Sequence, residues 1–116
     1  MSEDAYSMLG ERFKALSEPT RLRLIYALMD RERTVSELVE ETGSSQANVS
    51  KHLRVLLEVG LVERRKQGLN SCYAIADPTV FEVCDLVCGS IQERLQADLS
   101  SFVEYRYLDA AVAELP

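Results

Sequence analysis

The sequence predicts a mainly α-helical fold with a small β-hairpin. It is a winged helix-turn-helix with long terminal helices suited to dimerisation. Three observations lead there. Apolar residues recur at helical spacing in five segments. Two of the helices are short and meet at a glycine-containing turn. A segment with the pattern of a two-stranded hairpin follows them directly.

Residues 4–16 place Tyr6, Leu9, Phe13 and Leu16 at spacings of 3, 4 and 3, a helical stripe that needs something to dock on. Ser17-Glu18-Pro19 closes this helix. Pro19 also suits the first turn of the next one, where its missing N–H costs nothing. The second helix runs from about Thr20 to Met29, with Leu22, Ile25, Tyr26, Leu28 and Met29 as its apolar face. Arg21 and Arg23 read as solvated charge, with contact to a DNA backbone as the alternative. Asp30 to Arg33 is a charged turn. Thr34-Val35-Ser36-Glu37 matches a capping box, in which the hydroxyl and the carboxylate each accept from the other residue's backbone N–H. Val35, Leu38 and Val39 point inward on the short helix that follows, and Gly43 stops it.

The stretch from Ser44 to Val62 carries the strongest functional pattern. Ser44 or Ser45 caps a helix that ends near Glu58. Val49, Leu53 and Leu56 form its inward stripe. Gln46, Ala47, Ser50, Lys51 and Arg54 then face out, with no acid before Glu58. Such a face suits a DNA major groove: small residues allow close approach, Gln reads base edges, and Lys and Arg meet guanine or phosphate. Ser44, Ser45, Asn48 and His52 are candidates for helix-start or phosphate contacts, with His52 facing partly outward. An ordinary amphipathic surface helix has a similar pattern, so the flanking segments decide between the two readings.

Gly60 ends that helix in a left-handed residue. Leu61 to Lys66 reads as a strand, Gln67-Gly68-Leu69-Asn70 as a turn, and Ser71 to Ile75 as the return strand. Tyr73 and Ile75 share one side. Directly after a helix-turn-helix this hairpin is a wing, and Arg64, Arg65, Lys66 and Asn70 are its candidate DNA contacts. Charge on an edge strand also protects it from unwanted pairing. Asp77-Pro78 starts the last helix. Along it, Cys84, Cys88, Ile91, Leu95, Leu99, Phe102 and Val103 form an apolar stripe that extends toward Leu108. That stripe exceeds what a small winged core can cover, and a two-fold partner would bury the rest. The tail 109–116 reads as frayed. The expected organisation is one domain over 1–116, with dimerisation helices at 4–16 and 78–108, the helix-turn-helix at 34–58 and the wing at 61–76.

Composition sets the remaining bounds. The 116 residues are 47% hydrophobic and 28% charged, as in a soluble globular protein. No apolar run approaches the ~20 residues of a membrane span. The acidic start MSEDAYSMLGERF has no apolar signal core, so a cytoplasmic protein with no membrane partner is expected. Net charge is −6, yet residues 44–71 carry +3. A basic face on an acidic body can bind phosphates while discouraging indiscriminate binding. No catalytic constellation or phosphate-binding loop is present in the sequence, so an enzyme is not expected.

Three motifs in order resemble the ArsR/SmtB repressors. Ala15-Leu16-Ser17-Glu18-Pro19-Thr20-Arg21-Leu22 resembles their opening motif. Ser45-Gln46-Ala47-Asn48-Val49-Ser50-Lys51-His52-Leu53 resembles their recognition helix, and Gly60-Leu61-Val62 their approach to the wing. The resemblance covers about residues 8–95. It implies a homodimeric repressor that binds a palindromic operator and releases it on binding a metal or metalloid, or after thiol chemistry. The family's thiol site in the third helix needs cysteines around Leu38-Val39-Glu40, where there are none. Its zinc site in the last helix needs histidines, and the only histidine is His52.

What remains is Cys84 and Cys88, whose i,i+4 spacing puts both thiols on one helix face. Two thiolates so placed can share a soft ion such as As(III), Cd(II) or Cu(I), with Cys72 as a possible third ligand. The pair could instead enter disulfide or persulfide chemistry, or serve as small core residues. Two further alternatives stay open: a repressor without thiol sensing that responds to another ligand, and a winged helix whose exposed face binds protein rather than DNA.

Overall fold

A computed structural model describes residues 1–101 of the chain, with side chains through residue 98. The expectations for Leu99, Phe102, Val103, the extension to Leu108 and the tail lie outside the described side chains. The elements in order are α1 (Glu3–Leu16), α2 (Pro19–Ala27), β1 (Arg33–Thr34), α3 (Val35–Thr42), α4 (Gln46–Glu58), β2 (Val62–Gln67), β3 (Asn70–Ile75) and α5 (Thr79–Ser101). The chain falls into two compact units. Met1–Asp77 is the first, and the second begins at Pro78.

In the first unit the local signals act where the sequence placed them. Ser2 caps α1, its hydroxyl accepting from the Ala5 N–H at 3.2 Å. Pro19 sits in the first turn of α2. The capping box of α3 is complete: the Glu37 N–H donates to Thr34 Oγ1 at 3.2 Å, and the Thr34 N–H donates to Glu37 Oε1 at 3.0 Å. Arg31 also donates to Glu37 at 2.8 Å. Arg31 first, then the Thr34 N–H, holds the Glu37 carboxyl down to about 2. Of the two candidate serines, Ser45 caps α4, accepting from the Asn48 N–H at 3.2 Å.

Gly43 and Gly60 take φ of 71° and 77°, where a side chain would strain the backbone. Gly68 has a φ of 62° at the first of two central turn positions, as a type II′ hairpin turn requires. The strands therefore reach one residue further than expected, pairing Gln67 with Asn70.

Leu24 and Ile25 of α2, with Leu28 at its C-cap, join Leu38 of α3, Val49, Leu53 and Leu56 of α4, and Leu61 and Val62 in the buried core. Met29, expected on the face of the second helix, lies beyond its end and is exposed, because the helix stops with Leu28 as its C-cap. The segment read as a charged turn contains a strand. β1 pairs antiparallel with β3, Arg33 opposite Tyr73 and Thr34 opposite Cys72, giving the sheet order β1-β3-β2. Two residues are too few to show a periodicity. Arg33 is tied in place by a bond from its Nε to the Ala27 carbonyl at 2.6 Å, which satisfies an orphan acceptor at the end of α2.

The α1 stripe is only partly covered. Ala15 is buried, while Tyr6, Met8, Leu9 and Phe13 are exposed. In the second unit, α5 exposes Leu86, Val87 and Ile91. No helix among the described residues is long and apolar enough to cross a membrane.

Candidate nucleic-acid interface

The outward face of α4 is built as its spacing requires. At about 100° per residue, Ala47, Ser50, Lys51 and Arg54 fall on one arc opposite Val49, Leu53 and Leu56, and Gln46 stands at the edge of that arc as the first residue of α4. All five are exposed. Among the described residues, neither Lys51 nor Arg54 has a side-chain partner, so both cations are available to a ligand. Ser45 is engaged as the cap and Ser44 is half-buried beside it.

The wing is more constrained. Arg64 donates to Ser71 Oγ at 3.2 Å across the hairpin. Arg65 pairs with Glu63 through Nε at 2.9 Å and with Glu32 at 3.2 Å. Glu32 also accepts from Gln67, tying β2 to the segment before β1. Lys66 and Asn70 are exposed, and Lys66 has no side-chain partner among the described residues. Sequence reading grouped Arg64, Arg65 and Lys66 as one run. It missed Glu32, because that residue is 33 positions from Arg65.

This arrangement is a short helix, a glycine turn, a helix whose polar face carries no acid before Glu58, and a hairpin on which Lys66 has no side-chain partner among the described residues. Residues 18–64 match the family described as "bacterial regulatory protein, arsR family". A transcriptional repressor SmtB homolog from Synechocystis is 38% identical over 93 residues, spanning 80% of this chain and 70% of that protein. The chain belongs to the ArsR/SmtB family of transcriptional repressors. A probable mercury resistance operon repressor from Streptomyces lividans is 42% identical over 71 residues, 61% of this chain, and the chain spans 57% of its length. Among solved structures, a homodimeric winged helix-turn-helix DNA-binding domain from Mycobacterium bovis, a possible ArsR-family regulator, superposes with a TM-score of 0.67. It is 27% identical and covers 90% of this chain and 94% of its own.

Two polar residues of the ArsR/SmtB motifs are used differently from their sequence reading. Arg21 is not plain solvated charge. Its Nε donates to the Ala15 carbonyl at 2.6 Å and a terminal nitrogen donates to the Lys14 carbonyl at 3.1 Å, satisfying orphan acceptors in the last turn of α1. His52 does not face outward. It is 6% exposed, on the flank of α4 beside Leu53, with Nδ1 3.1 Å from Arg21 and Nε2 3.6 Å from Glu18. It is thereby removed from the candidate DNA contacts. Burial drives its pKa below the usual histidine value; Glu18 opposes this, and Arg21 and Lys51 reinforce it.

The cysteines of this ArsR/SmtB protein divide by environment. Cys72 is 5% exposed on the central strand, opposite Thr34 on one side and Arg65 on the other, so its thiol belongs to the packing of the sheet. Cys84 and Cys88 are half-buried one turn apart on α5, neither in a disulfide among the described residues. Among the described residues, no three His, Cys, Asp or Glu side chains cluster as a metal site would require. Their i,i+4 spacing puts the two thiols on one face of α5.

Proposed function

We propose that the protein is a homodimeric repressor whose α4 enters the major groove of a palindromic operator. On this reading, a thiophilic metal or metalloid, or thiol redox or persulfide chemistry at Cys84 and Cys88, releases it. The observation that carries the DNA reading is the α4 face: five exposed residues with no acid before Glu58, and Lys51 and Arg54 without a side-chain partner among the described residues. Gln46 and Arg54 suit base edges, Ala47 and Ser50 permit close approach, and Lys51 suits phosphate or guanine. Asn48 and Ser44 flank the helix start, where backbone N–H groups favour a phosphate. The exposed apolar residues of α1, and separately those of α5, support dimerisation, since exposed apolar helix faces are normally covered by a partner. A related domain described as homodimeric agrees with this.

For release, two thiolates on one helix face bind soft ions in preference to hard ones. The relative from Streptomyces named for mercury resistance supports that chemistry. A ligand with higher affinity for the conformation that binds DNA weakly would shift the equilibrium away from the operator.

Binding of the reduced protein to its own upstream DNA, followed by fluorescence anisotropy, tests both parts. Arsenite, cadmium, zinc and a polysulfide are then added separately, with a Cys84→Ser/Cys88→Ser variant alongside. Release by one thiophile that the variant resists is the expected result. Tight binding undisturbed by all four would leave the repressor and return the cysteines to a packing role. Absent or salt-insensitive binding would favour a protein-interaction module.

The wing makes a finer prediction. Lys66→Ala should flatten the dependence of log K on log salt by about 0.9, the share of one phosphate contact. Arg65→Ala should change it less, because Glu63 and Glu32 already neutralise that guanidinium. Equal slopes for Lys66→Ala and the parent would remove the wing lysine from the interface.

A further inference from the structure

One guanidinium joins three helices in the first unit. Arg21, in the first turn of α2, donates to two carbonyls at the end of α1 and to the imidazole of His52 in α4. Its own backbone N–H donates to Glu18 at 3.1 Å, which caps α2 and faces the other nitrogen of His52. The dimer-candidate helix α1, the second helix and the recognition helix thus meet at Arg21 and His52. Burial of His52, with Leu53 beside it at 0% exposure, makes this junction part of what orients α4.

The donor chemistry sets the state of the imidazole. A guanidinium has only donors, so Nδ1 of His52 must accept, and the ring proton sits on Nε2 toward the Glu18 carboxylate. Protonation would place a hydrogen on Nδ1 against Arg21. That bond would be lost, and two cations would face each other. The charged groups around the ring are Glu18 and Arg21 from the α1–α2 junction and Lys51 from α4 itself. His52 is the only histidine in the chain, so an imidazole resonance that titrates in NMR belongs to it.

We propose that Arg21 and His52 are positioning residues for operator binding: neutral His52 locks the recognition helix to the α1–α2 junction through Arg21, and protonation of the imidazole releases that lock. This rests on the reading of α4 as the DNA-binding helix. The sign follows from the neutral form being favoured in the folded state. Below the ordinary value of 6.5 the unfolded chain gains a proton before the folded one does, so stability falls as pH drops from 6.5 toward the folded pKa. Operator binding, which requires the locked form, falls in the same direction.

The experiment measures operator affinity of the reduced, full-length protein at about pH 7.5 and about pH 5, across the range where histidine titrates. In parallel, the imidazole nitrogens are followed by NMR with and without operator. A fall in affinity on acidification is expected, approaching tenfold for each unit by which the operator lowers the His52 midpoint. By reciprocity the operator should lower the His52 titration midpoint. His52→Gln, neutral throughout and able to accept from Arg21, should keep the neutral-pH affinity and lose the pH dependence. A midpoint unmoved by operator would overturn the coupling without any variant, and so would a Gln variant with the parent's pH profile. Either result, with tight binding at neutral pH, leaves the repressor reading standing. No binding at any pH would overturn both.

Discussion

Lys51→Ala and Arg54→Ala are each expected to weaken operator binding by about 1–3 kcal/mol, the cost of losing a good base or phosphate contact. Both side chains are exposed, without partners among the described residues, and lie on the face opposite the buried stripe of α4. Nothing in the fold rests on them, so thermal stability should stay within about 0.5 kcal/mol of the parent. Anisotropy titrations with specific and scrambled duplexes, paired with melting curves, check this. A larger loss on the specific duplex marks a base contact, and an equal loss on both marks phosphate. If both variants bind like the parent, α4 is not the reading helix.

Leu53→Ala should have the largest effect on folding, about 2–5 kcal/mol. Leu53 is fully buried, on the inward stripe of the same helix, among Leu24, Leu38 and Leu56 of the same core. Domains of this size are stable by only about 5–15 kcal/mol, so that loss approaches complete unfolding. Urea titration at fixed protein concentration should show a lower midpoint with an unchanged slope. A midpoint equal to the parent's would mean the stripe is not core. Lys51 and Leu53, two positions apart on one helix, should therefore separate cleanly: one variant loses DNA, the other loses the fold.

Much of the site was legible because its signals are local. Ser45, the Thr34–Glu37 box, Gly43 and Gly60 act within four residues of where they stand, through backbone groups that every helix end leaves unpaired. The outward arc of Ala47, Ser50, Lys51 and Arg54 follows from helical geometry once Val49, Leu53 and Leu56 are taken as core. What could not be read was polar chemistry at the margins of these elements. Periodicity alone leaves a flank position such as His52 undecided between solvent and interior.

By itself, then, the sequence determined the helices, the turn between α3 and α4, the hairpin after them and the face α4 turns outward. Those follow from propensity, capping and apolar spacing within a few residues. Only the tertiary structure decided that β1 is a strand, that Arg21 meets a buried His52 and that Glu32 holds Arg65. Each depends on a partner distant in the chain: 31 residues separate Arg21 from His52, and 33 separate Glu32 from Arg65. A charged or titratable side chain is solvated by default. It takes a buried or paired role only where folding delivers the complementary group, and no local pattern encodes that delivery.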